Sequence, residues 1–589
     1  MLKVDKPQEL QKMRHSSAHV LACAVLNLYP ETNLAIGPVI ENGFYYDFGL
    51  PEAISEKDLS VIEKEMKKII ARNLSFERFE LSIAEAIERE RKNKQTYKVE
   101  LIEDLKKGGL KKVSYYRTGQ FADLCEGPHV KNTKEIGAFK LLSLAGAYWR
   151  GSEKNPMLTR IYGACFQTRE ELQKHLKNLE EAKLRDHRKL GRELELFTFS
   201  EEIGPGLTLW LPKGTIIKEE LEKLAKEKEE EEGYLRISTP HITKENLYYT
   251  SGHLPYYEKE MFPKMESDEG NYYLKPMSCP HTHMVYKSKP RSYRELPIRF
   301  AEFGTVYRFE KSGELTGLLR VRGMTQNDAH IYSREDQVID ELESVMKLHK
   351  YYYDLFDIRE YWVELSLPDF KKRPDKYFDD PRGWKKAIEI LRQAAKKSGV
   401  DYIEEEGSAA FYGPKFDFNI KSAIGRTFGA STNQLDFGSA SRFKLTYIDK
   451  SGQEKLVPYI IHRAPLGSDE RFIGFLIEHF GGAFPTWMSP IQVALVPISD
   501  RNLEYATKIS QVLKKNGVRV AIDDRSETMQ AKIRDATIQK ISYMGIVGDR
   551  EEKEGKISIR TREGIDLGSR DLKSFIEEVT HEIKERLSK

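Results

Sequence analysis

The chain has 589 residues, 39% hydrophobic and 32% charged, with 40 glycines and 24 prolines scattered rather than repeated. This is an ordinary globular composition, and it excludes collagenous, low-complexity and wholly disordered readings. No apolar run approaches the roughly 18 residues of a membrane helix, and Met1–Ser17 lacks the apolar core of a secretory signal. Four cysteines (Cys23, Cys125, Cys165, Cys279) in so long a chain make no disulfide scaffold. A cytoplasmic enzyme with reduced thiols and no membrane partner is expected. Lys plus Arg number 95 against 92 for Asp plus Glu, so a polyanion must be met by local patches, not by bulk charge.

In chain order, residues 1–167 mix strand-like stretches with helices, among them Glu56–Asn73, whose Leu59, Ile62, Met66 and Ile69 recur at helical spacing. Residues 168–196 read as one charged connecting helix with Leu172, Leu176 and Leu179 in a stripe. The turns GPG (Gly204–Gly206) and LPKG (Leu211–Gly214) open a third region, 197–488. There Lys218–Glu232 reads as a helix with a solvated, charged face. Segments rich in Tyr, Phe and Arg then alternate with turns to Ile461, which predicts a large, mainly antiparallel sheet. The Pro-rich break Phe484–Ile491 precedes a last region, 489–589. Its strands are predicted at Gln492–Pro497, Arg519–Asp523, Gly545–Gly548 and Lys556–Arg560. Its helices are predicted at Asn502–Asn516, at Met529–Tyr543 and from Leu572, the alternation of a three-layer α/β domain. The expected fold class is α+β and multidomain.

Several clusters of residues carry chemistry. In Val306-Tyr-Arg-Phe-Glu310, a strand would put Arg308 and Glu310 on one face, the Arg able to fork onto phosphate and the Glu to accept from an amine. An Arg-x-Glu by itself reads as a surface ion pair. Near the N-terminus, His15-Ser-Ser-Ala-His19 sets two imidazoles on one helix face, and Cys125-Glu-Gly-Pro-His129 adds a thiol and a third imidazole. From spacing alone His₃Cys is a plausible tetrahedral zinc set; the bland alternative is polar residues scattered around a core. Cys279, His330 and His462, each considered singly, read as structural.

Together with Arg299-Phe-Ala-Glu-Phe-Gly304, Arg320–Ile331 (RVRGMTQNDAHI), Tyr412-Gly-Pro-Lys415, Gln434-Leu-Asp-Phe437, His462-Arg-Ala and Gly37–Tyr46, these residues resemble the class II aminoacyl-tRNA synthetases, and within them the threonyl-tRNA synthetase family. The resemblance runs through nearly the whole chain. It implies an α/β editing domain, a class II catalytic domain built on an antiparallel sheet, and a C-terminal α/β anticodon-binding domain. It implies ATP (with Mg²⁺), threonine and tRNA(Thr) as substrates, and a homodimer packed through Pro240 of Ile237-Ser-Thr-Pro240. In such an enzyme Arg308 binds the α-phosphate and the amino-acid carboxylate, with Lys415 as a further cation. Glu310 holds the adenine amine, Arg320 the γ-phosphate, and Arg471 stacks on adenine. Gln326, Gln434 and Ser468 complete the substrate pocket.

The same resemblance makes Cys279, His330 and His462 the three protein ligands of one zinc per chain, its open position taken by the amine and hydroxyl of threonine. Shape alone separates isosteres such as valine and threonine by only about 10², whereas a hydroxyl-ligating metal rejects valine much more strongly. Serine, one methyl smaller, slips through at a cost of roughly 1–3 kcal/mol, so a correcting site is needed. His15, His19, Cys125 and His129, with Asp123 and Lys98, form that editing pocket for Ser-tRNA in the resembled family. Glu551, Arg560, Ser526 and Lys540 fall where the family reads the anticodon, the last two replacing the usual Asn and Arg.

The sequence departs from the family in three places. The family's N-C-P-G-H is Ser278-Cys-Pro-His-Thr-His283 here, so His283 is extra. We expect it to stay outside the metal's shell, with His281 or Thr282 standing in for the lost motif histidine. Gly429 replaces a common Gln, and the form expected is one without the small ubiquitin-like domain that often precedes the editing domain.

Overall fold

The computed structural model describes residues 6–587 except 153, 423 and 424, and the chain divides into two compact units, Met1–Glu180 and Glu181–Lys589. In the first unit, α1 (Lys6–Leu28) and α2 (Leu59–Ala71) lie on an antiparallel sheet ordered Asn33–Leu34, Gly43–Gly49, Met157–Phe166, Ala138–Tyr148. Val20, Leu21 and Ala24 of α1 meet Ile62 and Met66 of α2 over Phe44, Phe48 and Ile161 of the sheet. The apolar stripe expected of Glu56–Asn73 is thus the buried face of α2, after a single 3₁₀ turn at Glu56–Asp58. A second, three-stranded sheet (Glu77–Ser82, Lys112–Thr118, Phe121–Leu124) carries its own small core of Ile83, Ala86, Ile102 and Tyr115.

The connecting segment is not one helix. It is α3 (Arg169–Arg185) and α4 (His187–Glu193), because the Asp186 carboxylate turns back to accept the Arg188 N–H at 2.9 Å and caps a new start. Of the expected stripe only Leu172 is buried; Leu176 and Leu179 are half-buried. The charge run at 218–232 is helical, as expected, and exposes Glu219, Lys223, Lys226, Glu227 and Glu230. The helix, α5 (Pro212–Glu231), begins at a proline in its first turn and buries Ile217, Leu221, Leu224, Ala225 and Glu229, so one face is core.

The second unit is built around an eight-stranded sheet: β1 (Leu235–Arg236), β2 (Ile298–Tyr307), β3 (Gly323–Ser333), β4 (Tyr361–Leu367), β5 (Tyr402–Glu406), β6 (Lys415–Lys421), β7 (Thr427–Asp436) and β8 (Tyr459–Ala464). Their order is β1-β2-β3-β8-β7-β6-β4-β5, parallel only at the two edge pairs. One face packs on α5, α7 (Val338–Leu355), α8 (Pro381–Ser398) and α9 (Asp469–Phe480); α6 (Cys279–Lys287) precedes β2. Strand β2 ends at Tyr307, so Arg308-Phe-Glu310 is not on a strand as expected. It forms a turn, in which the Glu310 N–H bonds back to the Arg308 carbonyl at 2.8 Å.

The C-terminal region adds β9 (Val493–Pro497), β10 (Val520–Ile522), β11 (Tyr543–Val547), β12 (Lys556–Thr561) and β13 (Asp566–Asp571), ordered β10-β9-β11-β12-β13. Helices Leu503–Lys515 and Leu572–Lys584 cover one face and Met529–Ile538 the other, which makes the three layers. Two elements escaped the sequence pattern: the short helix Asp549–Glu554 and β13, an edge strand too exposed to alternate. The helix expected to run to Tyr543 stops at Ile538, and Lys540 turns with a φ of +58°.

Beneath the sheet, Arg463 of β8 and Glu229 of α5 form an ion pair at 2.7 Å with both side chains fully enclosed; Asn327 donates to the same carboxylate at 2.8 Å. Removing one partner of such a pair strands a buried charge. Glu229→Ala should therefore cost about 3–5 kcal/mol, read as a lowered midpoint in urea unfolding.

Candidate active site

The register of four adjacent strands lines up one row of side chains. His330 (β3) lies opposite His462 (β8), His462 opposite Gln434 (β7), and Gln434 opposite Lys415 (β6). Two residues along, Asp328, Ala464, Thr432 and Asp417 repeat the row on the same face. The result is a cleft of about 320 Å³ whose lining includes Cys279, Arg308, Gln326, Lys415, Gln434, His462, Ser468 and Arg471. His330 sits beneath it, fully buried.

Several charged groups in and beside the cleft are paired within the protein. Lys415 pairs with Asp417 at 2.6 Å. Arg320 forks onto Glu310 at 2.8 Å and Glu314 at 2.6 Å, outside the cleft's lining. Arg471 is held by two backbone carbonyls, Leu319 and Gly429, both at 3.1 Å. Desolvation, with Arg308 and Arg320 nearby, lowers its pKa. Ser468 caps α9, accepting the Arg471 N–H at 3.3 Å, so its hydroxyl serves the helix first. Gly429, where the resembled family commonly has a Gln, contributes its backbone carbonyl to Arg471. Sequence reasoning named neither Asp328 nor Tyr412 individually, although both stand inside the quoted motifs. Burial pushes Asp328 up to about 6, and the Tyr412 hydroxyl donates to Gln434.

Cys279, from the start of α6, joins His330 and His462 so that their donor atoms lie within 4.8 Å of one another. His330 Nε2 is buried without a hydrogen-bond partner. His462 uses Nε2 on Asp436 at 2.9 Å, which leaves Nδ1 for an incoming ion and matches the carboxylate–histidine support common behind metal ligands. A thiol and two imidazoles converging on an unsatisfied nitrogen fit a zinc ion. The extra His283 gives Nδ1 to the Tyr332 hydroxyl at 2.9 Å and groups with Asp436 and His462 instead of with Cys279. His281 is buried with both ring nitrogens unpartnered, and the Thr282 hydroxyl returns to the Ser278 carbonyl at 3.2 Å.

In the first unit, His15, Cys125 and His129 converge: Cys125 Sγ lies 3.3 Å from His15 Nε2 and 3.2 Å from His129 Nε2, and the two rings stack at 4.4 Å. His19 is on the same face of α1 but not in this group. Its ring is walled by Phe76 and Phe121, and burial takes it down to about 3. Burial likewise holds His129 at about 2 and lifts the Cys125 thiol to about 11. The cluster is thus neutral and protonated on sulfur, suited to steering a water and unsuited to thiolate attack. Beside it Lys98 and Asp123 form a buried pair at 2.7 Å, and Tyr46 donates to Asp123 at 2.5 Å.

The C-terminal candidates separate. Glu551 receives the Gly548 N–H (3.1 Å) and the Ser558 hydroxyl (2.9 Å), and Arg560 lies two residues along β12 from Ser558 on the same face. Ser526 is exposed in the loop after β10. Lys540 instead lines a small cavity with Leu194, Lys213 and Phe484.

The family model "tRNA synthetase class II core domain (G, H, P, S and T)" matches residues 262–480, which makes this mainly antiparallel sheet and its cleft a class II aminoacyl-tRNA synthetase core. The models "Anticodon binding domain" and "Threonyl and Alanyl tRNA synthetase second additional domain" match residues 492–582 and 113–162. The threonine–tRNA ligase of Sulfurihydrogenibium sp. (strain YO3AOP1) is 48% identical over 590 residues, spanning 100% of this chain and 90% of that protein. A threonine–tRNA ligase of Thermus thermophilus is 47% identical over 602 residues, 99% and 90% of the two chains. The crystal structure of the RNA binding domain of threonyl-tRNA synthetase from Cryptosporidium parvum Iowa II superposes with a TM-score of 0.64 at 34% identity, covering 67% of this chain and 98% of that one. The chain belongs to the threonine–tRNA ligase family.

Proposed function

We propose that the chain joins threonine to ATP as threonyl-adenylate, transfers it to the 3′ end of tRNA(Thr), and hydrolyses mischarged Ser-tRNA(Thr). The supporting observation is the single row His330–His462–Gln434–Lys415 facing Arg308 and Arg471 across one cleft. Attack of the threonine carboxylate on the α-phosphorus builds charge on phosphate oxygens. Arg308 and Lys415 meet it from fixed positions, which is where electrostatic catalysis is most effective. Asp417 neutralises Lys415 within the cleft and Glu310 neutralises Arg320 beside it; the phosphates of ATP, with Mg²⁺, take the place of these carboxylates. Glu310 then accepts from the adenine amine and Arg471 stacks on the ring, with Gln326, Gln434 and Ser468 around the substrates.

Cys279, His330 and His462 would hold zinc, which when bound offers an open position to the amine and hydroxyl of threonine. His283, engaged with Tyr332, stays outside that shell. In the first unit, Lys98, Asp123 and the His15/Cys125/His129 group position the terminal ribose and the attacking water, with His19 supporting His129 from behind. Glu551 and Arg560 read the anticodon, with Ser526 and Lys540 as lesser contributors. The proposed domains are 1–167 for editing, 168–196 for the connection, 197–488 for catalysis and 489–589 for the anticodon. A cytoplasmic homodimer packed through the Pro240 segment completes the reading.

Pyrophosphate exchange with ATP should be driven by threonine, more weakly by serine, and by neither proline nor alanine; exchange driven by one of the latter two and not by threonine would refute the assignment. By elemental analysis the protein should carry about one zinc per chain, retained in His283→Ala but lost in Cys279→Ala together with threonine activation. A fully active, metal-free protein would overturn the zinc assignment. The His15→Ala/His19→Ala variant should activate threonine at near the parental rate while Ser-tRNA accumulates; parental clearance of Ser-tRNA in that variant would show that editing lies elsewhere.

A further inference from the structure

His187, the first residue of α4, is completely buried among segments distant in sequence. Its Nδ1 lies 2.7 Å from Oε1 of Glu478 in α9, a carboxylate that is itself unexposed, and its Nε2 lies 3.1 Å from the backbone nitrogen of Leu318. A backbone N–H can only donate. Nε2 is therefore the bare nitrogen, and the ring proton sits on Nδ1, donated to the carboxylate. Arg426 approaches the same carboxylate at 3.5 Å and reaches Asp186, the cap of α4, at 3.3 Å.

Leu318 belongs to a tight turn, closed by the Leu319 N–H on the Thr316 carbonyl (3.0 Å) and the Thr316 N–H on the Arg320 carbonyl (3.2 Å). The next carbonyl, Leu319, holds Arg471 Nε at 3.1 Å, and the residue after it is Arg320. At Gly317, φ is +50° and a Cβ would fall 2.3 Å from His187 Nε2, so the imidazole fills the space a side chain there would need. We propose that His187 is a positioning residue for the nucleotide loop: it fixes Leu318 and, through Leu319 and Arg320, the two guanidinium groups that grip ATP. The proposal rests on the assignment of Arg320 and Arg471 to ATP. Without the ring, the buried Leu318 N–H loses its acceptor and the Glu478 carboxylate keeps only Arg426, and the turn is free to relax away from the geometry that aims those two arginines.

The test is threonine-dependent pyrophosphate exchange by the full-length protein, with KM measured separately for ATP and threonine. His187→Ala should raise the KM for ATP by about ten- to a hundredfold, the size of one stranded buried donor. The KM for threonine should stay within about twofold. His187→Gln, whose amide oxygen can accept from Leu318, should recover most of the loss. An equal rise in both KM values, an unchanged KM for ATP, or a Gln variant no better than Ala would overturn the positioning role. Gly317→Ala, which crowds the ring without removing it, is measured in parallel. It decides the question if His187→Ala fails to fold, since a rise confined to ATP supports the role and no rise refutes it. Arg320→Ala and Arg471→Ala test the underlying assignment independently: if neither changes the KM for ATP, that assignment falls, whatever His187 does.

Discussion

The register of β3, β8, β7 and β6 is the constraint on which the rest of the catalytic unit depends. His330, His462, Gln434 and Lys415 stand in one row only because each strand pairs with its neighbour at that residue. The intervening positions, Ile331, Ile461, Leu435 and Phe416, are fully buried in the main core under the helices. A slip of one residue on any strand would send its imidazole, amide or ammonium into that core and an aliphatic side chain into the cleft. Apolar burial on one face therefore enforces chemistry on the other. Arg463 strengthens the lock, because its ion pair with Glu229 is made only when β8 presents Arg463 to the helices and His462 to the cleft.

The two sites handle charge in opposite ways. The catalytic cleft and its rim pair their cations with internal partners, Asp417 for Lys415 and Glu310 with Glu314 for Arg320. Such pairs at a partly exposed rim are weak, so a polyanionic nucleotide can replace them at modest cost. In the first unit the His15, Cys125 and His129 group is half-buried and held neutral, burial lowering the imidazoles and raising the thiol, beside the buried ion pair of Lys98 with Asp123. The first arrangement suits phosphoryl chemistry, in which negative charge has to be met. The second suits placing a single water against an ester.

Local signals in the sequence determined a good deal. Alternating apolar residues, turn glycines and prolines located the large antiparallel sheet and the terminal α/β region, and the helical stripe Leu59–Ile62–Met66–Ile69 named the buried face of α2 by its spacing alone. The motif residues could be listed because each motif is short and contiguous. Where a reading rested on strand or helix periodicity beyond the element's true end, it failed. Arg308 and Glu310 lie past the end of β2, and the connecting helix breaks at Asp186 because a side-chain cap competes with helix continuation.

Only the tertiary structure decided which candidates meet. Cys279, His330 and His462 come from segments more than fifty residues apart, and nothing local says that a thiol at a helix start will face a cross-strand histidine pair. The same holds for the exclusion of His19 from the Cys125 group, the engagement of His283 with Tyr332, and the burial of His187 against Leu318 and Glu478. Sequence by itself specifies residue types and local periodicity, which are properties of neighbours along the chain. Convergence of donor atoms to within a few ångströms is set by strand register and by helix packing. Those are cooperative results of burying the whole core, and they belong to no single segment.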